Sequence, residues 1–233
     1  MKSKIRQILV FLGLIVPLSM VAAAAPDNSN SHDWWHPGTF TSSRTAEWWQ
    51  WALSIPTSVN PMTDTSGENC MLGQRGDTWY LAGLFGEGPV TRTCSIPESK
   101  RLFFPIINYV SINSPGVCGQ GASLSVEELR AISKTYIDSV TLVMAELDGR
   151  RIRGAKREKS RVFVAALPDE NIFVAPCNGD SPGGIYSPGV DDGYYIQLDR
   201  LPVGDHTLHF LAKSGSKTLQ DVSYKLHVIA NRR

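Results

Sequence analysis

From residue 57 onward, glycine and proline recur so often that little between them is long enough for anything but a short strand. The chain of 233 residues holds 20 Gly and 14 Pro, and both residues punctuate regular elements rather than fill them. The runs between the breaks are enriched in aromatic and β-branched residues, which suit a pleated, half-buried surface. Residues 77–85 (DTWYLAGLF), 90–96 (VTRTCSI), 101–110 (RLFFPIINYV), 161–167, 171–175, 194–198, 206–212 and 221–229 (DVSYKLHVI) each read as a strand. Residues 140–147 and the run from Arg151 are joined by Asp148-Gly149, a strong two-residue hairpin signal. Residues 178–189 hold four glycines and two prolines and read as a long loop. Two segments break the rhythm. Residues 44–54 read as a helix capped by Ser43 and stopped before Pro56, with Trp48, Trp51, Ala52 and Ile55 on one core-facing side. Residues 125–139 carry a capping box, Ser125 with Glu128, and an apolar stripe of Val126, Leu129, Ile132 and Ile137. About ten short strands with two helices predict a mainly β fold, an antiparallel two-sheet β-sandwich of jelly-roll or immunoglobulin-like type with two flanking short helices.

The N-terminus predicts where that fold forms. Lys2, Lys4 and Arg6 precede an almost wholly apolar run over residues 8–21, and Ala22, Ala23, Ala24 and Ala25 follow. This is the pattern of a cleavable signal peptide, with the cut placed after Ala24 because Pro26 disfavours a later one. The run is shorter than the roughly 20 residues of a membrane span. No cysteine ends it and no second long apolar run follows. Residues 1–24 are therefore read as a signal peptide, 25–42 as a flexible linker and 43–233 as a single β-rich domain, periplasmic or extracellular, with no transmembrane segment after cleavage. The 209 residues left suffice for one core. The leader takes three basic residues with it, so the net charge falls from +1 to −2. That balance predicts no nucleic-acid partner. The basic run Arg150, Arg151, Arg153, Lys156, Arg157, Lys159 and Arg161 contains Glu158 and reads as a solvated hairpin flank.

Four cysteines, Cys70, Cys94, Cys118 and Cys177, all follow the leader. An even count in an oxidising compartment predicts two disulfides. Three pairings are possible. Cys70–Cys94 with Cys118–Cys177 is favoured, because the first closes a short strand–turn–strand loop. Each bridge would contribute roughly 3 to 4.5 kcal/mol by loop-closure entropy. No C-x-x-C pair is present, so a zinc site is not predicted.

Several stretches resemble a family of exported bacterial proteins that has no assigned activity. They are WWQWALSIP at 48–56, RTCSIP at 92–97 and FFPIIN at 103–108, continued by DGY at 192–194 and GDHT at 204–207. The resemblance spans most of the mature chain. It implies export and a shared fold and transfers no catalytic residue. The closing residues, 201–210 and 222–228, resemble the last hairpin of secreted immunoglobulin-like modules.

Catalytic chemistry finds little support. Residues 177–184 (CNGDSPGG) look like the serine signature of chymotrypsin-like proteases, but Pro182 stands where that family has the glycine that shapes its oxyanion hole. His32 and His36 are the only upstream histidines, and they lie in the linker. The same stretch matches G-x-S-x-G without a helix to follow the serine. Asp191 and Asp192 before Gly193 read as turn residues. Metal leads are equally thin: Asp33 with His36; Asp205 with His206 and His209, whose side chains alternation puts on opposite faces; and the oxygen-rich loop of Asp64, Ser66, Glu68 and Asn69. No catalytic residue, metal or cofactor is assigned. Six tryptophans leave sugar stacking as the most concrete role, with Trp34, Trp35 and Trp79 as candidates. The reading is a non-catalytic, disulfide-stabilised β-sandwich that binds a glycan, a cell-envelope component or a protein partner. A secreted hydrolase with a loop site near Cys177 and Ser181, and a structural envelope protein, are the alternatives.

Overall fold

A computed structural model of the protein describes residues 38–231. The leader, its cleavage point, Asp33, His36, Trp34 and Trp35 lie outside that range. The elements in chain order are helix α1 (Ser42–Leu53), a 3-10 turn (Thr57–Val59), strands β1 (Thr78–Tyr80), β2 (Val90–Pro97) and β3 (Arg101–Ile112), and helix α2 (Val126–Asp138). There follow β4 (Leu142–Leu147), β5 (Arg150–Arg151), β6 (Lys156–Lys159), β7 (Phe163–Leu167), β8 (Gly184–Leu198), β9 (Gly204–Ser214) and β10 (Lys217–Ile229). They form two five-stranded sheets. The first runs β1-β3-β8-β6 with β7 also on β8, and the second runs β2-β10-β9-β4-β5. The mainly β, sandwich-like fold agrees with the strand rhythm of the sequence. Both sheets are mixed, because β1 pairs with β3, and β2 with β10, in parallel.

Alternation explains the first core. Along β2, Val90, Cys94 and Ile96 point inward while Thr91, Thr93 and Ser95 face solvent. They meet Val222, Leu226 and Phe210 of the same sheet and Leu102, Phe104, Ile196 and Leu198 of the other. The opposite face of the first sheet is also covered. There α1 lays Trp48, Trp51 and Ala52, and the turn after it lays Ile55, over Phe103, Phe163 and Tyr195. The first sheet is therefore an inner layer, and β3 accordingly shows a continuous buried run through Leu102, Phe103, Phe104, Pro105, Ile106 and Ile107. Burial of a side chain as large as Trp48 contributes roughly 3 kcal/mol.

The disulfides join Cys70 to Cys94 and Cys118 to Cys177. Asp148 and Gly149 both take positive φ and turn β4 into β5, as a type I′ hairpin requires. The capping box of α2 forms through Ser125 and Glu128. Among the described residues, no helix is long and apolar enough to cross a membrane.

Some local readings change. Residues 171–175 form turns instead of a strand, because the Asn171 side chain accepts from the Phe173 N–H and holds Ser181 from both sides. The region 178–189 is only half loop, since β8 begins at Gly184. Its glycines serve close packing: a Cβ on Gly189 would stand 2.9 Å from the Phe163 ring. Strand β6 has no apolar pattern and exists because β8 offers it an edge. Residues 77–85 are extended only over β1. Helix α1 begins at Ser42 with Thr41 as its N-cap, and no side chain caps it. In α2 the buried side chains are Leu129, Ser133 and Ile137, whereas Ile132 is exposed. The end of the stretch read as linker belongs to the fold: the Gly38 N–H donates to the Gln197 carbonyl, and Phe40 packs edge-on against Phe103.

Candidate functional site

An aromatic-walled opening in the surface begins where β1 leaves β3. The Leu81 N–H still donates to the Phe103 carbonyl at 3.0 Å. The next residues are drawn toward the second sheet instead. The Ala82 N–H donates to the Tyr224 hydroxyl at 3.1 Å, and the Leu84 N–H donates to the Gln220 side chain at 2.8 Å. Arg92 secures the departure. It is buried, and its guanidinium donates to the carbonyls of Asp64 (2.7 Å), Ala82 (2.7 Å) and Gly83 (3.2 Å) and to the Tyr224 hydroxyl (2.8 Å). Four carbonyl and hydroxyl dipoles thus replace the carboxylate that a buried cation usually requires.

A cleft of about 360 Å³ fills the gap between β3, α1, α2 and the loop after β1. Its walls are aromatic. Phe85 and Phe173 meet edge to face at 6.1 Å, and Tyr109 lies 4.5 Å from Tyr136, ring to ring. All four rings keep some exposure. The floor includes Trp48, Trp49 and Asn108.

Beneath the floor lies a buried polar relay. The Asn108 amide donates to the Tyr195 hydroxyl at 3.1 Å, and that hydroxyl donates to the Asp191 carboxylate. Ser160 closes the arrangement: its N–H donates to Asp191 Oδ1 at 3.1 Å, and its hydroxyl accepts the Asp191 N–H at 2.8 Å. Burial pushes the Asp191 carboxyl up to about 7, against the hydrogen bonds from Tyr195 and Ser160. Burial likewise drives the Tyr195 phenol well upward, and the neighbouring Asp191 adds to it. The Trp49 indole N–H faces both groups without completing a hydrogen bond. Asp192, next along the strand, points the other way and is gripped from both oxygens by Arg157 at 2.9 and 2.7 Å. These adjacent carboxylates are neither turn residues nor an acid–base pair: one is a buried member of the relay, the other half of an ion pair.

A second hollow of about 150 Å³ continues along the same strand. It is lined by Ile112, Leu167, Tyr186 and the Cys118–Cys177 disulfide. Val110 and Phe173 line both openings and join them into one groove along β3.

The residues singled out in the sequence fall elsewhere. Trp34 and Trp35 are outside the described residues. Trp79 is only 6% exposed and packed in the core between the sheets, so neither ring face is open to a sugar. Ser181 lines the smaller hollow but is 3% exposed, and its hydroxyl donates to Asn171 at 3.0 Å, a loop brace with no histidine beside it among the described residues. His206 and His209 bond separately to Asp148 and Asp221. The Asp64 loop is closed on itself. Burial opposes ionisation of Asp64, yet the N–H groups of Asn69, Ser66 and Gly67 hold its carboxyl below the usual range. Among the described residues, no cluster of three His, Cys, Asp or Glu could hold a metal. The cleft residues Phe85, Asn108, Tyr109, Tyr136 and Phe173 were not singled out. Even Tyr136 gives no clue, because it stands seven residues after Leu129 on the apolar side of α2 and reads as core.

No family model matches the chain, and no curated protein matches it. Among solved structures it is similar to the cysteine protease inhibitor EhICP2 from Entamoeba histolytica, at 12% identity over 61% of this chain and all of that one. The TM-score of that match is 0.20, too low to carry an argument about fold or role.

Proposed function

We propose that this is an exported binding protein that performs no chemistry, of the exported bacterial family its sequence resembles, and that its ligand seats in the cleft beside β3. The leader pattern and the two disulfides support a periplasmic or extracellular site of action. The observation that carries the reading is the aromatic wall of the cleft: four partly exposed rings beside two side-chain amides, Asn108 and Gln220. Ligand sites of this kind are concave and mostly apolar, with a few fixed polar groups. A glycan, a cell-envelope component or a protein partner all remain chemically compatible with it.

The test is a glycan array and a cell-wall pull-down with the oxidised protein, run beside Phe85→Ala/Tyr136→Ala, Trp34→Ala/Trp35→Ala and, as an exposed control remote from the cleft, Val203→Ala. Binding that is lost in the cleft variant and kept in the control supports the reading. Binding that survives the cleft variant and disappears in the Trp34/Trp35 variant would move the site to the N-terminal segment.

A further inference from the structure

The groove along β3 is bounded by main chain as well as by rings. Register fixes which way that main chain points. The Asn113 N–H donates to the Pro188 carbonyl of β8, and residues 112, 110 and 108 lie opposite Gly189, Asp191 and Gly193. In an antiparallel pair, opposed residues alternate between exchanging hydrogen bonds and turning their polar groups outward. Residues 107, 109 and 111 therefore bond to β8, and Asn108, Val110 and Ile112 turn their N–H and C=O groups away from it. Asp191 agrees with this parity, because its carbonyl accepts from Ser160 on the far side of β8. Before the bulge at Ile106 the outward side belongs to Phe103, whose carbonyl takes the last bond from the β1 segment. Pro105, also outward, has no N–H to offer. Among the described residues, no strand pairs with β3 beyond that point, and no hydrogen bond reaches the main chain of 108, 110 or 112 from the groove side.

We propose that the groove takes an extended polypeptide segment, which adds to the first sheet as a strand beside residues 108–112. The inference rests on the reading of the cleft as the binding site and names its occupant. Three outward N–H and three outward C=O groups at every second residue match the repeat of an extended main chain, and a sugar has no such repeat. Successive side chains of an added strand point to opposite faces. On one face they meet Tyr109 and Tyr136. On the other they meet the hollow between Leu167, Phe173, Tyr186 and the Cys118–Cys177 bridge. The favoured segment is therefore short and apolar at alternate positions, with one aliphatic or aromatic side chain entering the hollow. Natural sheets usually cover or charge an open edge of this length. Here the edge is recessed between aromatic walls, which admits a single chain and hinders edge-to-edge pairing of two folded sheets.

The experiment selects linear ten-residue peptides from a random display library on the oxidised protein. A synthetic copy of a selected peptide is then measured by titration calorimetry, alone and with N-methyl groups on its odd or its even amides. Strand addition predicts that one set of N-methyl groups weakens binding about tenfold or more while the other is tolerated. Val110→Pro, which removes an outward N–H and leaves the β8 ladder intact, should match the sensitive set, with its melting temperature checked in parallel. Equal tolerance of both N-methyl sets overturns the inference even if the peptide binds. So does a glycan that binds through Phe85 and Tyr136 when no peptide is selected, although the cleft then remains the binding site. A concentration-dependent dimer that blocks the groove would also overturn it, in favour of a second copy as occupant.

Discussion

Single residues decide much of this molecule, and Asp191 shows how. A carboxyl held near 7 in the fold and near 4 in the unfolded chain keeps its proton longer when folded. The unfolded chain then binds fewer protons between those values, so this residue's share of the stability is full below about pH 4 and is lost as pH rises toward 7. Asp64 and Asp77, held below their usual range, act in the opposite sense and only at lower pH. We expect the melting temperature to fall between pH 5 and pH 7.5, and Asp191→Asn to flatten that slope. An unchanged slope in the variant would mean that the proton sits elsewhere. Arg92 is the other decisive residue. In the sequence it was one letter of an alternating strand, because nothing in VTRTCSI says that an inward arginine will find four acceptors contributed by three other segments.

At the scale of elements, most strands were legible because burial on one face writes itself as alternation, as in β2 and β10. The helix stripe of Trp48, Trp51, Ala52 and Ile55 was legible for the same reason at a different period. What escaped were elements defined by their neighbours. Strand β6, Lys-Arg-Glu-Lys, has no pattern of its own. The start of β8 looked like a loop because its glycines answer to packing across the sheet. The cleft could not be foreseen at all, since it is made by the parting of β1 from β3. Gly193 tests this level of organisation. It faces Asn108 across the ladder, and a Cβ there would stand 2.6 Å from the Asn108 Cβ and 2.8 Å from the Ile107 carbonyl. Gly193→Ala should cost about 2 kcal/mol in denaturant unfolding and weaken ligand binding, because β3 must move to make room. A neutral substitution would show that the strand pair is looser than the contact implies.

For the whole molecule, a recessed inner sheet, two bridges and a leader pattern make one physical prediction. Protein recovered from outside the cytoplasm should begin at Ala25 and weigh four hydrogens less than the reduced chain, as intact mass spectrometry would show. A species retaining the first 24 residues would instead make the leader an anchor.

The position of β10 governs when such a chain can fold. It lies between β2 and β9 and, among the described residues, supplies the only ladder that β2 has. Val90 must wait for Val222, its register partner, so a chain emerging N-terminus first passes most of its length with the second sheet unassembled. For a chain exported as its leader pattern predicts, that ordering would be an advantage. Premature closure is deferred by topology itself, and the sheet closes only when the last strand arrives to join both of its neighbours.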